Sequence, residues 1–238
     1  MKKITYLLFF ILSGCNFFED LSEFFGPKFN EKVYVISSKN NKEPREQIKN
    51  QLKSLGIKYN EFITEIDTTQ HQRIIQQNHR KFWQRIAYGK ESRAIVLEDN
   101  VRLEKGFKKN LQRYIKDLPE DWDIAFLVIG RENNKYGWFI SVGDIFRDID
   151  EVKGHPYVAQ IQKTNRVYGL YGYIINKKGA KKLLKLTEKP SDDISDIIFQ
   201  KGGINTGYIK AYVSMFKLIE PQLTKAKIDE INKRSTDE

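Results

Sequence analysis

Short, unbroken apolar runs recur along the chain, and each is followed by a stretch whose apolar residues fall at helical spacing. That alternation constrains the fold more than any other feature. Val33-Tyr34-Val35-Ile36 and Ala94-Ile95-Val96-Leu97 are too short for helices and read as strands buried on both faces. Residues 43–55 put Ile48, Leu52 and Leu55 on one helical face and stop at Gly56. Residues 70–88 repeat the pattern through Ile75, His79, Phe82 and Ile86, and residues 106–118 through Phe107, Leu111, Tyr114 and Leu118. Further strands are expected at 58–63, 123–128, 171–175 and 208–213, and further helices at 179–186 and 191–200. Residues 130–166 show no regular period. Strands joined through helices are laid down in one direction. The expected class is therefore α/β: one domain with a mainly parallel mixed sheet flanked by helices.

Composition agrees with a packed domain. The chain has 238 residues, 40% hydrophobic and 30% charged, which excludes collagen-like, disordered and multi-pass membrane classes. Its net charge of +10 favours anionic partners such as phosphates, nucleotide diphosphates, acidic glycans or lipid headgroups. The positive charges are scattered and carry no nucleic-acid motif, so no nucleic acid is expected as a partner. A single cysteine, Cys15, excludes an internal disulfide.

The N-terminus reads separately from the domain. Met1-Lys2-Lys3 precedes an apolar stretch from Ile4 to Leu12, which ends in Ser13-Gly14-Cys15. This is a secretory signal pattern. As a helix the stretch would span about 14 Å, against roughly 30 Å of hydrocarbon, too short for a permanent span. Leu12-Ser13-Gly14-Cys15 resembles the bacterial lipobox, whose cysteine is lipidated. The bland alternative is that Cys15 merely ends an apolar anchor. Phe17, Phe18, Phe24 and Phe25 would lie at the membrane interface or pack a small helix onto the domain. The expected divisions are a signal segment at 1–15, a linker or interfacial segment at 16–30, the globular domain at 31–222 and a basic helix or tail at 223–238.

Chemistry is expected beyond the carboxyl ends of the strands, where open α/β sheets bind ligands. Glu98-Asp99-Asn100 follows Leu97 directly. Adjacent carboxylates raise each other's pKa unless something positive meets them. A divalent cation on a diphosphate would do so, and oxygen ligands suit Mg2+ or Mn2+. Capping the next turn or pairing with a nearby Lys or Arg is the plain alternative. A second acidic group, Asp192, Asp193 and Asp196, follows Pro190 and Ser191. It suits either helix N-capping or a general base aimed at a substrate hydroxyl.

Taken in order, these pieces resemble glycosyltransferase family 25, the lipopolysaccharide-biosynthesis and collagen-galactosyltransferase group. The likeness runs from about Lys32 to Pro221. Val33-Tyr34-Val35-Ile36-Ser37 resembles that family's first strand, and Arg45-Glu46 with Leu55-Gly56-Ile57 its arginine-containing helix. Asn78-His79 with Trp83 and Ile86-Ala87 resembles the next helix, and Ile95 to Val101 the strand and acidic motif. Asp121-Trp122-Asp123-Ile124, Gly172-Tyr173-Ile174-Ile175 with Lys178-Gly179-Ala180, and Pro190-Ser191-Asp192-Asp193 complete the series.

The resemblance implies a GT-A type, Rossmann-like fold. It also implies inverting, metal-assisted transfer of a hexose, usually galactose, from a UDP-sugar. The acceptor would be a glycan or lipid-linked glycan of the lipopolysaccharide or lipooligosaccharide type. Carried onto this chain, Glu98, Asp99 and Asn100 would hold Mn2+ or Mg2+, and Arg45, His79, Glu98, Asp99 and Tyr173 would bind the donor. Asp193 or Asp192 would be the base. Cys15 would anchor the protein in the cell envelope of a bacterium or on the cytoplasmic face of a membrane.

Three positions depart from the family's pattern. Asn100 stands where an acidic residue is usual and should weaken metal binding, since an amide oxygen brings no charge. Asn78 replaces a serine, and Leu170 a small hydroxyl residue. The competing expectation is therefore a catalytically inactive surface lipoprotein that keeps the fold to bind glycans or a host partner. Of the other residues with a functional look, Tyr136, Trp138 and Tyr157 suit acceptor stacking or plain packing, and His71 and His155 suit the surface.

Overall fold

The computed structural model describes residues 29–64, 71–131, 149–161, 167–188, 198 and 202–222. The signal segment with Cys15, the Asp192-Asp193 pair, Tyr136, Trp138 and the basic C-terminal stretch lie outside them.

Each apolar run forms a strand. β1 (Val33–Ser38), β2 (Tyr59–Thr64), β3 (Arg93–Glu98), β5 (Ile124–Phe126), β7 (Ile149–Glu151), β8 (Val158–Ile161), β10 (Gly172–Asn176) and β11 (Ala211–Ser214) build one sheet. Its order is β2-β1-β3-β10-β5-β11-β8-β7. Two small ribbons stand outside it: β4 (Val101–Leu103) with β12 (Ile219–Pro221), and β6 (Gly130–Arg131) with β9 (Val167–Tyr168). The helices are α1 (Lys42–Ser54), α2 (His71–Tyr88), α3 (Phe107–Asp117) and α4 (Lys177–Leu186).

β1 is parallel to β2 and β3, and β5 is parallel to β11. β10 runs antiparallel to both β3 and β5, and β8 antiparallel to both β11 and β7. All the main-sheet strands except β10 and β8 therefore point one way, so the sheet is mixed and mainly of one direction. The seemingly irregular stretch 130–166 supplies two of those strands, β7 and β8, which its sequence does not announce.

Side chains alternate across the sheet, as period-two geometry requires. Val33, Val35, Ile95, Leu97 and Ile174 face the layer of α1 and α3, where Ile48, Leu52, Phe107 and Leu111 meet them. Tyr34, Val96, Phe126, Tyr173 and Ile175 face the other layer, against Phe82, Trp83 and Ile86 of α2 and Leu183 of α4. This is an α/β/α sandwich with the sheet buried on both sides. Gly56 ends α1 at φ +64°. There Ile57 N–H donates to Leu52 O and Gly56 N–H to Lys53 O, the paired bonds of a Schellman stop. α4 starts with Asn176, whose side chain accepts from Gly179 N–H. Arg80 of α2 donates to Leu184 O at 2.9 Å and to Thr187 Oγ1 at 2.7 Å. It thereby satisfies α4's terminal carbonyls and locks the two helices together.

Candidate functional site

β1, β2 and β3 run in parallel and end at the same edge of the sheet. Asp99 N–H donates to Ile36 O at 2.9 Å, which seats the residue just past β3 against the end of β1. Its carboxylate is 4% exposed. Oδ2 accepts from Ser38 N–H at 2.8 Å and Oδ1 from the Asn41 amide at 3.2 Å. Asn41 precedes α1 but makes no side-chain cap to it; its Nδ2–H donates to Asp99 instead. The loop from β1 into α1 is therefore clamped by Asp99. Burial pushes the Asp99 pKa up to about 6, and Glu98 adds to the rise. The Ser38 and Asn41 bonds, and more weakly Arg45, oppose it.

Arg45 lies one turn into α1. Its Nε is buried and finds no hydrogen-bond partner among the described residues; it sits 3.7 Å from Glu61 Oε1. Glu61, on β2, also takes the Lys49 ammonium at 3.0 Å and the Ser37 hydroxyl at 3.0 Å. It thus holds Arg45 and Lys49 of α1 beside β2. Asn78 donates to Thr64 Oγ1 at 3.1 Å, and Thr64 Oγ1 to Ser37 O at 3.3 Å. The asparagine that departs from the family's serine thus ties α2 to the ends of β2 and β1.

Glu98 keeps a partly exposed carboxylate, with 21% of its side chain accessible. Its N–H donates to Tyr171 O at 2.9 Å. Behind it lies His79, 0% exposed, with Nε2 3.6 Å from Glu98 Oε1 and Nδ1 2.8 Å from the Tyr173 hydroxyl. That hydroxyl also accepts from Trp83 Nε1–H at 3.0 Å. Asn100 Oδ1 is buried without a hydrogen-bond partner among the described residues, while its backbone O accepts from Gln222 N–H at 2.6 Å.

Of the residues expected at the site, Glu98, Asp99 and Asn100 follow one another at the end of β3, and Arg45 and His79 approach from α1 and α2. Tyr173 stands a layer deeper, behind His79. Ser37, Ser38, Asn41, Glu61 and Thr64 are the additions. Ser37, Ser38 and Thr64 carry only the signal of a hydroxyl at the end of a strand, and Asn41 and Glu61 carry none. Leu170 is buried in the core, so an apolar side chain there fills space. His155, expected at the surface, is half-buried, and its Nδ1 meets Asp117 O. Tyr157 stacks on Phe216 with ring centroids 4.9 Å apart, which favours packing for that residue.

Glu98, Asp99 and Asn100 carry oxygen donors of the kind a hard cation takes; both Asp99 oxygens already accept hydrogen bonds, and Asn100 Oδ1 has no hydrogen-bond partner among the described residues. Among the described residues no group of three His, Cys, Asp or Glu side chains is close enough to hold a metal. An ion here would thus depend on the amide as its third ligand.

Asp121-Trp122-Asp123 lies at the opposite edge, before β5. Asp123 is fully buried and takes the Lys182 ammonium at 2.5 Å and Lys210 N–H at 2.9 Å. That motif belongs to the fold. No helix of the described residues is long and apolar enough to cross a membrane.

Comparison with known proteins bears on this arrangement. Procollagen galactosyltransferase 2 of Homo sapiens is 24% identical over 131 residues, 52% of this chain and 19% of that protein. Procollagen galactosyltransferase 1-A of Xenopus laevis is 28% identical over 136 residues, 54% of this chain and 20% of that protein. The chain thus spans about a fifth of the length of these relatives. Among solved structures, a glycosyltransferase involved in glycosylation of the major capsid of PBCV-1 overlays with a TM-score of 0.49 at 8% identity, covering 87% of this chain and 99% of that one. HddC from Yersinia pseudotuberculosis overlays with a TM-score of 0.38 at 16% identity, over 92% and 84%.

The sequence profile of glycosyltransferase family 25 (LPS biosynthesis protein) matches residues 76–196. That stretch is just over half of the chain and includes His79, the acidic end of β3, and Tyr173. With its mixed sheet between two helical layers, the protein has a GT-A type fold and belongs to glycosyltransferase family 25.

Proposed function

We propose that the chain transfers a hexose, galactose first among the candidates, from a UDP-sugar to a hydroxyl of a lipopolysaccharide- or lipooligosaccharide-type glycan, with inversion at the sugar carbon. One observation carries this reading: a partly exposed carboxylate, Glu98, and a buried one, Asp99, stand beside Arg45 where the parallel strands end. The galactosyltransferase relatives support galactose.

In this reading Arg45 and Lys49 face the donor's phosphates, and the Asp99 clamp on Ser38 and Asn41 holds the loop beneath them. Glu98, Asp99 and Asn100 would hold Mn2+ or Mg2+, which when bound would neutralise the leaving diphosphate. Asn100 lowers the charge of that set and so its affinity. Asp193, or Asp192, takes the proton from the acceptor hydroxyl as the new C–O bond forms opposite the departing UDP. Lipidated Cys15 would tether the enzyme to an envelope membrane, a point that fractionation of cells carrying Cys15→Ala decides.

The test is release of UDP from UDP-galactose in the presence of acceptor glycan. Asp193→Ala and Asp99→Ala should each lower turnover by about 100-fold or more, the usual size for a general base or an electrostatic group in the transition state. Unchanged turnover in both variants removes these assignments. A second reading, an inactive glycan-binding lipoprotein, is favoured by the neutral Asn100 alone. It expects glycan binding indifferent to UDP and to metal.

A further inference from the structure

Trp83, Tyr173 and His79 are all fully buried and form one hydrogen-bonded series, beyond which Glu98 lies 3.6 Å from His79 Nε2. Its direction follows from donor counting. Trp83 Nε1–H can only donate, so it occupies a lone pair of the Tyr173 oxygen at 3.0 Å. Burial drives the Tyr173 pKa far above its ordinary value, so the hydroxyl keeps its proton. Nδ1 of His79, at 2.8 Å, is the acceptor that proton reaches. With Nδ1 accepting, the ring's own proton sits on Nε2. That nitrogen is buried, has no hydrogen-bond partner among the described residues, and lies 3.6 Å from Glu98 Oε1. The reverse arrangement, with the proton on Nδ1, would leave the Tyr173 hydroxyl proton buried without an acceptor, at a cost of about 1–3 kcal/mol.

We infer that Trp83 and Tyr173 are positioning residues: they fix His79 as the Nε2–H tautomer, so that it presents a hydrogen-bond donor to the Glu98 carboxylate from behind. Glu98 thereby has one oxygen facing His79, while its side chain stays partly exposed at the strand ends. The functional weight of this series rests on the reading of Glu98 as a donor-site carboxylate, whereas the tautomer does not. Sequence alone conceals the series, because Trp83 and Tyr173 are 90 positions apart and nothing local pairs them.

The experiment is nitrogen NMR of the full chain labelled with 15N-histidine, with His79→Gln identifying the His79 signals. Expected in the wild type are a bare, accepting Nδ1 and a protonated Nε2. Tyr173→Phe should mix the tautomers, and Glu98→Gln, a milder change at a partly exposed position, should shift the Nε2 resonance while leaving Nδ1 bare. UDP-galactose affinity should fall roughly 10- to 100-fold in Tyr173→Phe, as is usual when the partner behind a site ligand is lost. A wild-type proton on Nδ1, or His79 signals indifferent to both variants, overturns the series whatever the activity. The expected spectra with no UDP-galactose binding by the wild type would instead bear out the tautomer and remove the transferase reading.

Discussion

Asp99 shows how one residue can serve the fold and the site at once. Its carboxylate is held by Ser38 N–H and Asn41, yet burial outweighs those bonds and raises its pKa from the ordinary 3.8 to about 6. The native state then binds more protons than the unfolded chain between those two values, so this residue's contribution to stability is full below about pH 4 and is lost as pH rises through about 6. For this residue the loss should approach roughly 3 kcal/mol in the absence of metal. Urea midpoints between pH 4.5 and 7.5 in chelator should fall with pH in the wild type and more shallowly in Asp99→Asn. Parallel slopes would show that the carboxylate ionises freely. The acidic strand end itself was legible in the sequence, because an apolar run that stops at two carboxylates is unusual. Asp99's partners were not, since Ser38 and Asn41 stand 61 and 58 positions away and only the parallel pairing of β1 with β3 brings them near.

Among the elements, those with a strong period were legible to within a residue or two. α3 buries Phe107, Leu111 and Tyr114 at the spacing that marks it, and Gly56 stops α1 by a left-handed turn. The direction of β10 was not legible. A strand buried on both faces is apolar throughout whichever way it runs, so Tyr173-Ile174-Ile175 carries no sign of being antiparallel to both neighbours. β4 and β12 have three residues each and lie more than a hundred positions apart, beyond any local pattern. Gly179 offers a test at this scale. A Cβ there would lie 2.1 Å from Asp123 O, a backbone atom that cannot swing aside, so α4 must shift outward. Gly179→Ala should cost about 1–3 kcal/mol, seen as a lower thermal midpoint with the carboxyl edge of the sheet still intact. An unchanged midpoint would mean that α4 does not press on β5 as closely as described.

At the scale of the molecule, the sheet divides its labour between its edges. The amino end of β5 carries the buried pair of Asp123 with Lys182, which binds α4 to the sheet. The carboxyl ends of β1 to β3 carry Glu98 and Asp99 with Arg45 and Lys49 nearby. The chain's net charge of +10 favours anionic partners without choosing among them. The proposed transfer depends most on Asn100, because two carboxylates and an amide would have to hold a cation firmly enough to bind a nucleotide sugar. Calorimetric titration of the purified protein with UDP-galactose, with and without Mn2+, tests this most directly. Saturable binding of UDP-galactose that strengthens at least tenfold with Mn2+ is the expected result. A folded protein that binds neither UDP-galactose nor UDP under either condition would contradict it.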